Sequence, residues 1–125
     1  MMKNNELSLP YSVETPSFSL NVDHCPGEPD RLIVTITGSV ANDEARIIQE
    51  QVPGFFSSSS DTQVVVDLAQ IIYISSSGIG ALLELLQAAE QKGISLHLSG
   101  VNPRIRMLFS ALGLESCFVF RDSEG

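Results

Sequence analysis

Residues 72–83 read IYISSSGIGALL, and this stretch decides the fold. An apolar run typical of a β-strand ends in three serines, and a helix-like apolar run begins directly after the next glycine. The first N–H groups of a helix have no partner within the helix, and that end carries about half a positive charge. Hydroxyl groups at such a position are candidates for function, and here they belong to Ser75, Ser76 and Ser77.

Downstream of this stretch, helical and strand-like patterns alternate. The helix after the serines is expected to end at Gly93, since glycine is favoured directly after a helix. Residues 94–98 alternate between apolar and polar side chains, as a short strand does. Asn102 and Pro103 are a typical helix start, with the asparagine as cap, and Gly113 ends that helix before a last apolar stretch, CFVF.

Upstream, the pattern predicts a hairpin, a helix and a buried strand. Residues 18–22 and 31–38 alternate as strands on either side of CPGEPD, whose prolines and glycine favour a turn. Asn42 or Asp43 is expected to cap a helix that either ends near Val52 or bends there. The apolar run in QVVVDL suits a strand buried on both faces, as in a parallel sheet.

These elements follow the order β-β-α-β-α-β-α. Alternation of strand and helix after a hairpin predicts an α/β fold, a mixed and mostly parallel β-sheet with α-helices packed against it. Residues 1–16 are polar and contain two prolines, and they are expected to be a flexible leader. Residues 17–121 are expected to form one domain, and residues 122–125 a polar tail.

The composition argues against several classes of function. The 125 residues carry a net charge of −8, whereas nucleic-acid binding requires clustered basic side chains, to which Arg104 and Arg106 are the nearest approach. Cys25 and Cys117 form no disulfide framework, and His24, Cys25 and His97 lack the paired spacing of a zinc site. No apolar run approaches the roughly 20 residues that cross a bilayer. A cytoplasmic protein without a metal or a membrane partner is therefore expected.

Three roles are open to the serines. The first is capping, in which the hydroxyl of Ser76 or Ser77 accepts a hydrogen bond from a backbone N–H of the first turn. The second is nucleophilic catalysis at a strand–serine–helix elbow, although no glycine lies two residues before a serine and only His24 and His97 are available as a base. The third is phosphorylation, because a helix N-terminus stabilises an anion.

Phosphorylation at this position would change the surface and leave the fold intact. A phosphoserine carries about −1.5 to −2 charges, so a neutral hydroxyl patch would become strongly anionic. An apolar or acidic partner surface docked there would be expelled. Gly78 and Gly80 keep this corner free of side chains, so that the backbone of a partner has access to it.

The helix after the serines has two apolar strips. The predicted core stripe consists of Ile79, Leu82, Leu83 and Leu86, and the second, milder strip consists of Ala81, Leu85 and Ala88. A helix that covers a sheet needs only one such face. The second strip therefore either packs on a neighbouring helix or stays partly exposed for a protein partner.

Residues 67–118, DLAQIIYISSSGIGALLELLQAAEQKGISLHLSGVNPRIRMLFSALGLESCF, resemble the STAS domain, and specifically the bacterial anti-sigma factor antagonists. Those proteins share a strand ending in DL, an apolar stretch, D-S-S-G before an apolar helix, a further strand, an N-P-turned helix and an L-G-L ending. The resemblance extends over residues 18–121. It implies a STAS-like fold and a regulatory binding protein that is not an enzyme and holds no cofactor.

In that family the serine before the glycine is phosphorylated by a partner kinase that is also the anti-sigma factor. The resemblance thus implies Ser77 as the phosphorylation site, with Ser76 as the alternative. The unphosphorylated protein binds the anti-sigma factor and frees the sigma factor, the phosphorylated protein lets go, and a serine phosphatase resets it. The implied partner-binding residues are Ser75, Ser76, Ser77, Gly78, Ile79, Gly80, Ala81, Leu85 and Asp43.

Two positions depart from the family pattern. Ser75 stands where the family has an aspartate before the two serines, and it brings no charge. Many relatives have an acidic residue where this chain has Ala41, and here Asp43 follows two positions later. The alternative function is a phosphorylation-independent STAS interaction or scaffold domain of a bacterial signalling complex, in which the serines only cap the helix. A monomer or weak dimer is expected in both cases.

Overall fold

The computed structural model describes residues 9–56 and 62–121, so residues 1–8 of the predicted leader and the predicted tail lie outside the described residues. Within these ranges the strands are β1 (Tyr11–Thr15), β2 (Phe18–Cys25), β3 (Glu28–Val40), β4 (Gln63–Asp67), β5 (Ile71–Ile74), β6 (Ser95–Ser99) and β7 (Val119–Arg121). The α-helices are α1 (Asn42–Gln51), α2 (Ser76–Gln91) and α3 (Pro103–Ala111), and short 3-10 helices cover Pro53–Phe56 and Glu115–Cys117.

The strands form one mixed sheet. β1, β2 and β3 are antiparallel neighbours, and β3, β4, β6 and β7 continue the sheet in parallel. β5 lies parallel to the last residues of β3, beyond the end of β4. Parallel strands need crossover connections, which α1, α2 and α3 supply. The predicted mixed, mostly parallel α/β sheet is confirmed, although the predicted order lacked β1, β5 and β7 as separate strands.

The core lies between one face of the sheet and the helices. The strand register brings Val22, Val34, Val66 and Leu98 into one row across four strands, and all four are fully buried. The buried side chains of the three helices join this row in a single apolar cluster. Because side chains alternate along a strand, a slip of one residue would turn this row to the other face, so burial fixes the register.

The predicted flexible leader is wrong for Tyr11–Thr15, which forms β1 and pairs with β2. The hydroxyl of Tyr11 donates a hydrogen bond to Oε1 of Gln51 over 3.0 Å. Its ring lies 5.2 Å from the ring of Phe55, measured between centroids. These contacts attach the strand to the end of α1, and they join residues far apart in sequence, which a local pattern does not reveal.

α1 begins directly after β3. Its N-cap is Ala41, so the predicted caps Asn42 and Asp43 lie in the first turn instead. The backbone N–H of Ala41 donates to Oε1 of Glu44 over 3.0 Å, which is the glutamate half of a capping box. A glutamate three residues on thus partners the backbone of a residue that has no polar side chain of its own.

The end of α1 decides between the two predicted alternatives. The helix stops at Gln51, two residues before Pro53, whose nitrogen has no hydrogen to donate. The 3-10 helix that follows turns the side chains of Phe55 and Phe56 into the core. The apolar spacing that continued past the proline therefore marks core residues in a new element, not a longer α-helix.

Candidate functional site

The turn between β5 and α2 is held by Ser75. Its backbone N–H donates to the carbonyl of Val40 over 2.9 Å, which extends the pairing of β5 with β3 by one residue. Its Oγ accepts a hydrogen bond from the N–H of Gly78 over 3.1 Å, which makes it the N-cap of α2. The prediction that Ser76 or Ser77 caps the helix is therefore wrong, because the capping geometry falls one residue earlier.

Ser76 and Ser77 form the start of α2, and both are exposed. The first turn of α2 contains no acidic residue. It contains no Lys or Arg either, so the hydroxyls stand at the positive end of the helix dipole without a charged neighbour in that turn. An anion attached to either hydroxyl would be stabilised by the helix that carries it and would still face the solvent.

Gly78 and Gly80 differ in their surroundings, although the sequence predicted the same role for both, which was to keep this corner free of side chains. Gly78 is buried, and a Cβ at this position would lie 2.6 Å from Cγ1 of Ile74 and 2.9 Å from Cγ1 of Val40. A Cβ at Gly80 would meet no atom within 4 Å. The fold itself thus requires a glycine at position 78, where α2 comes close to the sheet, and has no such requirement at position 80.

Three predicted partner contacts are wrong. Ile79, Ala81 and Leu85 are at most 1% exposed, so no partner reaches their side chains in this conformation. α1 packs against α2, and its buried residues belong to the same apolar cluster as Ala81 and Leu85. The second apolar strip of α2 is therefore covered by a neighbouring helix, which was the other predicted alternative.

Asp43 lies at the same edge of the sheet as the serines. The ends of β3 and β5 are adjacent, so α1 and α2 start side by side. The side chain of Asp43 is 87% exposed and lies 3.7 Å from the guanidinium of Arg46, a separation at which an exposed ion pair contributes little. Of the predicted partner-binding residues, the exposed ones are Ser76, Ser77 and Asp43, while Ser75 and Gly80 are half-buried and Gly78 is buried.

The sequence pattern did not reveal two exposed apolar residues on the strand that leads to the serines. The pairing of β3 with β5 shifts register between Gly38 and Ser39, so that Ile72 is an extra, bulged residue. As a result Ile72 is 77% and Tyr73 is 53% exposed, although the run IIYI suggests a buried strand. The signal in the sequence was Gly38, since a glycine within a strand pattern suggests a bulge. Gly38 adopts φ +90°, and the carbonyl of Ser17 lies close to its Cα.

Asp67, the strand-end aspartate of the resemblance, stabilises a turn. Its Oδ1 accepts a hydrogen bond from the N–H of Ala69 over 2.9 Å, just after β4. The backbone N–H of Leu68 donates to the carbonyl of Ser99 over 2.8 Å in the same region. These two bonds fix the short connection that directs the chain from β4 into β5, and so they orient the serines indirectly.

No histidine lies near the serines to act as a base. His97 is opposite Val65, which is opposite Ile33, and Ile33 precedes Val40 by seven residues along β3. At about 3.3 Å per residue, His97 is roughly 20 Å along the strands from the start of α2. His24 pairs with Leu32 and lies at the same distant end of β3. The hypothesis of a nucleophilic elbow therefore has no histidine close enough to act as its base.

The electrostatics of His97 fit a position within the sheet. Burial is the main cause that lowers its pKa, and the charges of Arg121 and Arg31 lower it further.

Within the described ranges, no three His, Cys, Asp or Glu side chains are grouped as metal ligands. Over those same residues, no helix is both long enough and apolar enough to span a membrane.

The mixed sheet with a strand–serine–helix turn at its edge is an architecture that matches a known family of domains. The profile of the STAS domain matches residues 22–125, so this chain belongs to the STAS domain family. The resemblance seen in the sequence is thereby confirmed.

Two relatives are named as antagonists of anti-sigma factors. The anti-sigma-B factor antagonist of Staphylococcus epidermidis is 38% identical over 52 residues, which is 42% of this chain and 48% of that protein. The chain thus matches about half the length of that relative. The anti-sigma F factor antagonist of Paenibacillus polymyxa is 25% identical over 93 residues, which is 74% of this chain and 80% of that protein.

The solved structures of SpoIIAA share the fold. The anti-sigma factor antagonist SpoIIAA in its unphosphorylated form has a TM-score of 0.70 and 15% identity, over 83% of this chain and 87% of that one. The Bacillus cell fate determinant SpoIIAA in the phosphorylated form has a TM-score of 0.66 and 15% identity, over 83% of this chain and 90% of that one. At such identity the likeness establishes the architecture.

Proposed function

We propose that this chain is an anti-sigma factor antagonist whose binding to its anti-sigma factor is abolished by phosphorylation of Ser77. The observation that supports the proposal is that one serine caps the helix while the other two are exposed. Ser75 provides the cap of α2, so the hydroxyls of Ser76 and Ser77 are exposed at the positive end of the helix without being needed to start it. The resemblance to the antagonists selects Ser77, the serine directly before the glycine.

The modification is a phosphoryl transfer from ATP held by the anti-sigma factor, which is also the kinase. Oγ of Ser77 forms a bond to the γ-phosphorus, the bond from that phosphorus to the bridging oxygen breaks, and ADP leaves. The hydroxyl proton passes to a base of the kinase. A serine phosphatase reverses the modification: water attacks the phosphorus, the bond from phosphorus to Oγ of Ser77 breaks, Oγ takes up a proton, and inorganic phosphate is released. Transfer to Ser77 requires an exposed hydroxyl and removal requires an exposed phosphoester, and Ser77 is exposed.

The switch follows from the different effects of the dianion on the two proteins. In this chain, the N–H groups and dipole of α2 stabilise a phosphate at its start. For the anti-sigma factor, the same phosphate adds about −1.5 to −2 charges within the interface, beside the exposed carboxylate of Asp43. Desolvation of the phosphate and repulsion from acidic groups of the partner then drive dissociation.

The proposed docking surface consists of Ser76, Ser77, Gly80 and Asp43 with Ile72 and Tyr73. Ile72 and Tyr73 are exposed on the strand that leads to Ser77, and such aliphatic and aromatic side chains supply the desolvated contacts that carry binding energy in interfaces. The proposal assigns the cytoplasm as the location, because ATP and the sigma factor are both there. Loss of the phosphate restores the uncharged hydroxyl of Ser77, and the anti-sigma factor binds again.

The test is incubation of the purified chain with ATP and the anti-sigma factor kinase encoded nearest to its gene, followed by mass spectrometry. One added phosphate is expected, absent in Ser77→Ala and present in Ser76→Ala. Isolated phosphorylated protein should show no measurable binding to the kinase in calorimetry. If the chain binds its partner tightly and no kinase adds phosphate, it is a phosphorylation-independent interaction domain instead.

A further inference from the structure

Gly80 is a glycine within α2 that neither the backbone conformation nor the packing requires. It is the fifth residue of the helix, and its backbone has no positive φ, so a glycine is not required for its conformation. A Cβ at this position would meet no atom within 4 Å, so a glycine is not required for packing either. Apart from proline, glycine is the least favourable residue in a helix interior. The folded chain alone therefore gives no reason for it.

Gly78, by contrast, is a glycine that the packing of the chain itself requires. A Cβ there would collide with the side chains of Ile74 and Val40, both buried where α2 meets the sheet. The two glycines lie two residues apart and hence on different sides of the helix. Gly78 faces the sheet and Gly80 does not.

The position of Gly80 connects it to the proposed phosphorylation site. It follows Ser77 by three residues and Ser76 by four, and residues at these spacings are neighbours on a helix surface, with Cβ atoms about 5–6 Å apart. A kinase that delivers a phosphoryl group to Ser77 must bring its own atoms within about 3 Å of that hydroxyl. The polypeptide around its active site then has to cover the adjacent turn of α2.

We infer that Gly80 is the point at which the backbone of the anti-sigma factor kinase approaches α2 most closely, and that the absent side chain admits it. This inference rests on the proposed function and assigns one residue of its docking surface a role in specificity. A methyl group at position 80 would be neutral or favourable for the free chain. In the complex it would stand between the two backbones and push the partner away from Ser77.

The experiment compares Gly80→Ala and Gly80→Leu with Gln87→Leu. Gln87 is exposed and lies seven residues further along α2 on the same side, so it receives the same apolar bulk away from the serines. We expect the Tm of Gly80→Ala to rise by about 3 °C. We expect the Kd for the kinase to increase about tenfold for alanine and about 100-fold for leucine, and less than about twofold for Gln87→Leu, since interfaces tolerate added bulk as poorly as cores.

The outcomes separate this inference from the proposed function. If the wild-type chain binds the kinase, Ser77→Asp does not, and both Gly80 variants bind like the wild type, the inference is overturned and the function stands. If the wild-type chain does not bind, both fall. A lower Tm for Gly80→Ala would assign the glycine to the fold. A change confined to self-association, measured by analytical ultracentrifugation, would assign a second copy of this chain to the surface. Either result overturns the inference.

Discussion

α2 and α3 begin in the same way and differ in what surrounds the beginning. Oγ of Ser75 accepts a hydrogen bond from the third helical residue of α2 over 3.1 Å, and Oδ1 of Asn102 does the same for α3 over 2.9 Å. In α3 the first helical residue is Pro103, which favours the start of a helix and offers no hydroxyl. In α2 two exposed serines follow the cap. One side chain suffices to start a helix, so the further hydroxyls of α2 need another explanation.

The third helical residue shows a second difference. In α3 it is Ile105, which is 4% exposed and fills space in the core. In α2 it is Gly78, because the side chains of Ile74 and Val40 already occupy that space. The start of α2 is thus bound tightly to the sheet on its inner side and is bare on its outer side. The start of α3 instead places a large apolar side chain, Ile105, against the core.

The largest expected effect is on partner binding. Ser77→Asp should weaken the complex with the anti-sigma factor about 100-fold, since a carboxylate at the interface costs several kcal/mol. Arg104→Asp is the matched control, because Arg104 is the exposed second residue of α3 as Ser77 is of α2. It changes the net charge more, yet it should alter the Kd by less than about twofold. Equal weakening by both variants, measured by calorimetry, would show that net charge alone governs binding.

The next effect is on stability. Gly78→Val should lower the free energy of unfolding by about 3 kcal/mol, since the added side chain meets two buried ones. Gly80→Val should change it by less than about 1 kcal/mol, because that position is open. Urea denaturation followed by circular dichroism measures both. A similar loss for the two variants would contradict the division of the glycines into one that serves packing and one that does not.

The fold was largely predictable from the sequence because its signals are local. The Val64–Val66 run, the Asn102 cap and the apolar helix after the serines each depend on a few neighbouring residues, and the structure has all three. The predicted leader was wrong because Tyr11–Thr15 is a strand through its pairing with β2 and its contacts with α1. Such partners lie far away in the chain, and two flanking prolines obscured the alternation.

The site was predictable only in outline. The sequence indicates a helix starting at three serines, but which serine caps it depends on where β5 ends, and that is set by the bond from Ser75 to Val40. Ala81 and Leu85 are buried because α1 covers a second side of α2, which one amphipathic pattern does not specify. The exposure of Ile72 results from a bulge in pairing, and no periodicity of its own strand encodes it.

The strands that lead into the two helices provide a third test. β6 ends at Ser99, which is 3% exposed, whereas Tyr73 near the end of β5 is 53% exposed. Tyr73→Ser should weaken anti-sigma factor binding about tenfold, because an aromatic side chain is a typical anchor in an interface. Val119→Ser is the control, since Val119 is 55% exposed on β7. If both serine variants bind like the wild type, the interface does not extend onto β5.

The smallest effect concerns the two caps. Ser75→Ala and Asn102→Ala should each lower the free energy of unfolding by about 1 kcal/mol, because each leaves one N–H of a first turn without its partner. Ser75→Asp keeps an acceptor for the N–H of Gly78 and adds a charge that favours the helix dipole, so it should raise stability by about 0.5 kcal/mol.

Ser75→Asp also restores the aspartate that the family pattern has at this position, and it should leave phosphorylation of Ser77 intact. Thermal denaturation and mass spectrometry measure the two properties separately. A variant that is more stable but no longer phosphorylated would mean that the neutral cap is part of the site that the kinase recognises. In that case the difference between the starts of α2 and α3 would extend to the capping residue, which is half-buried at the base of the docking surface.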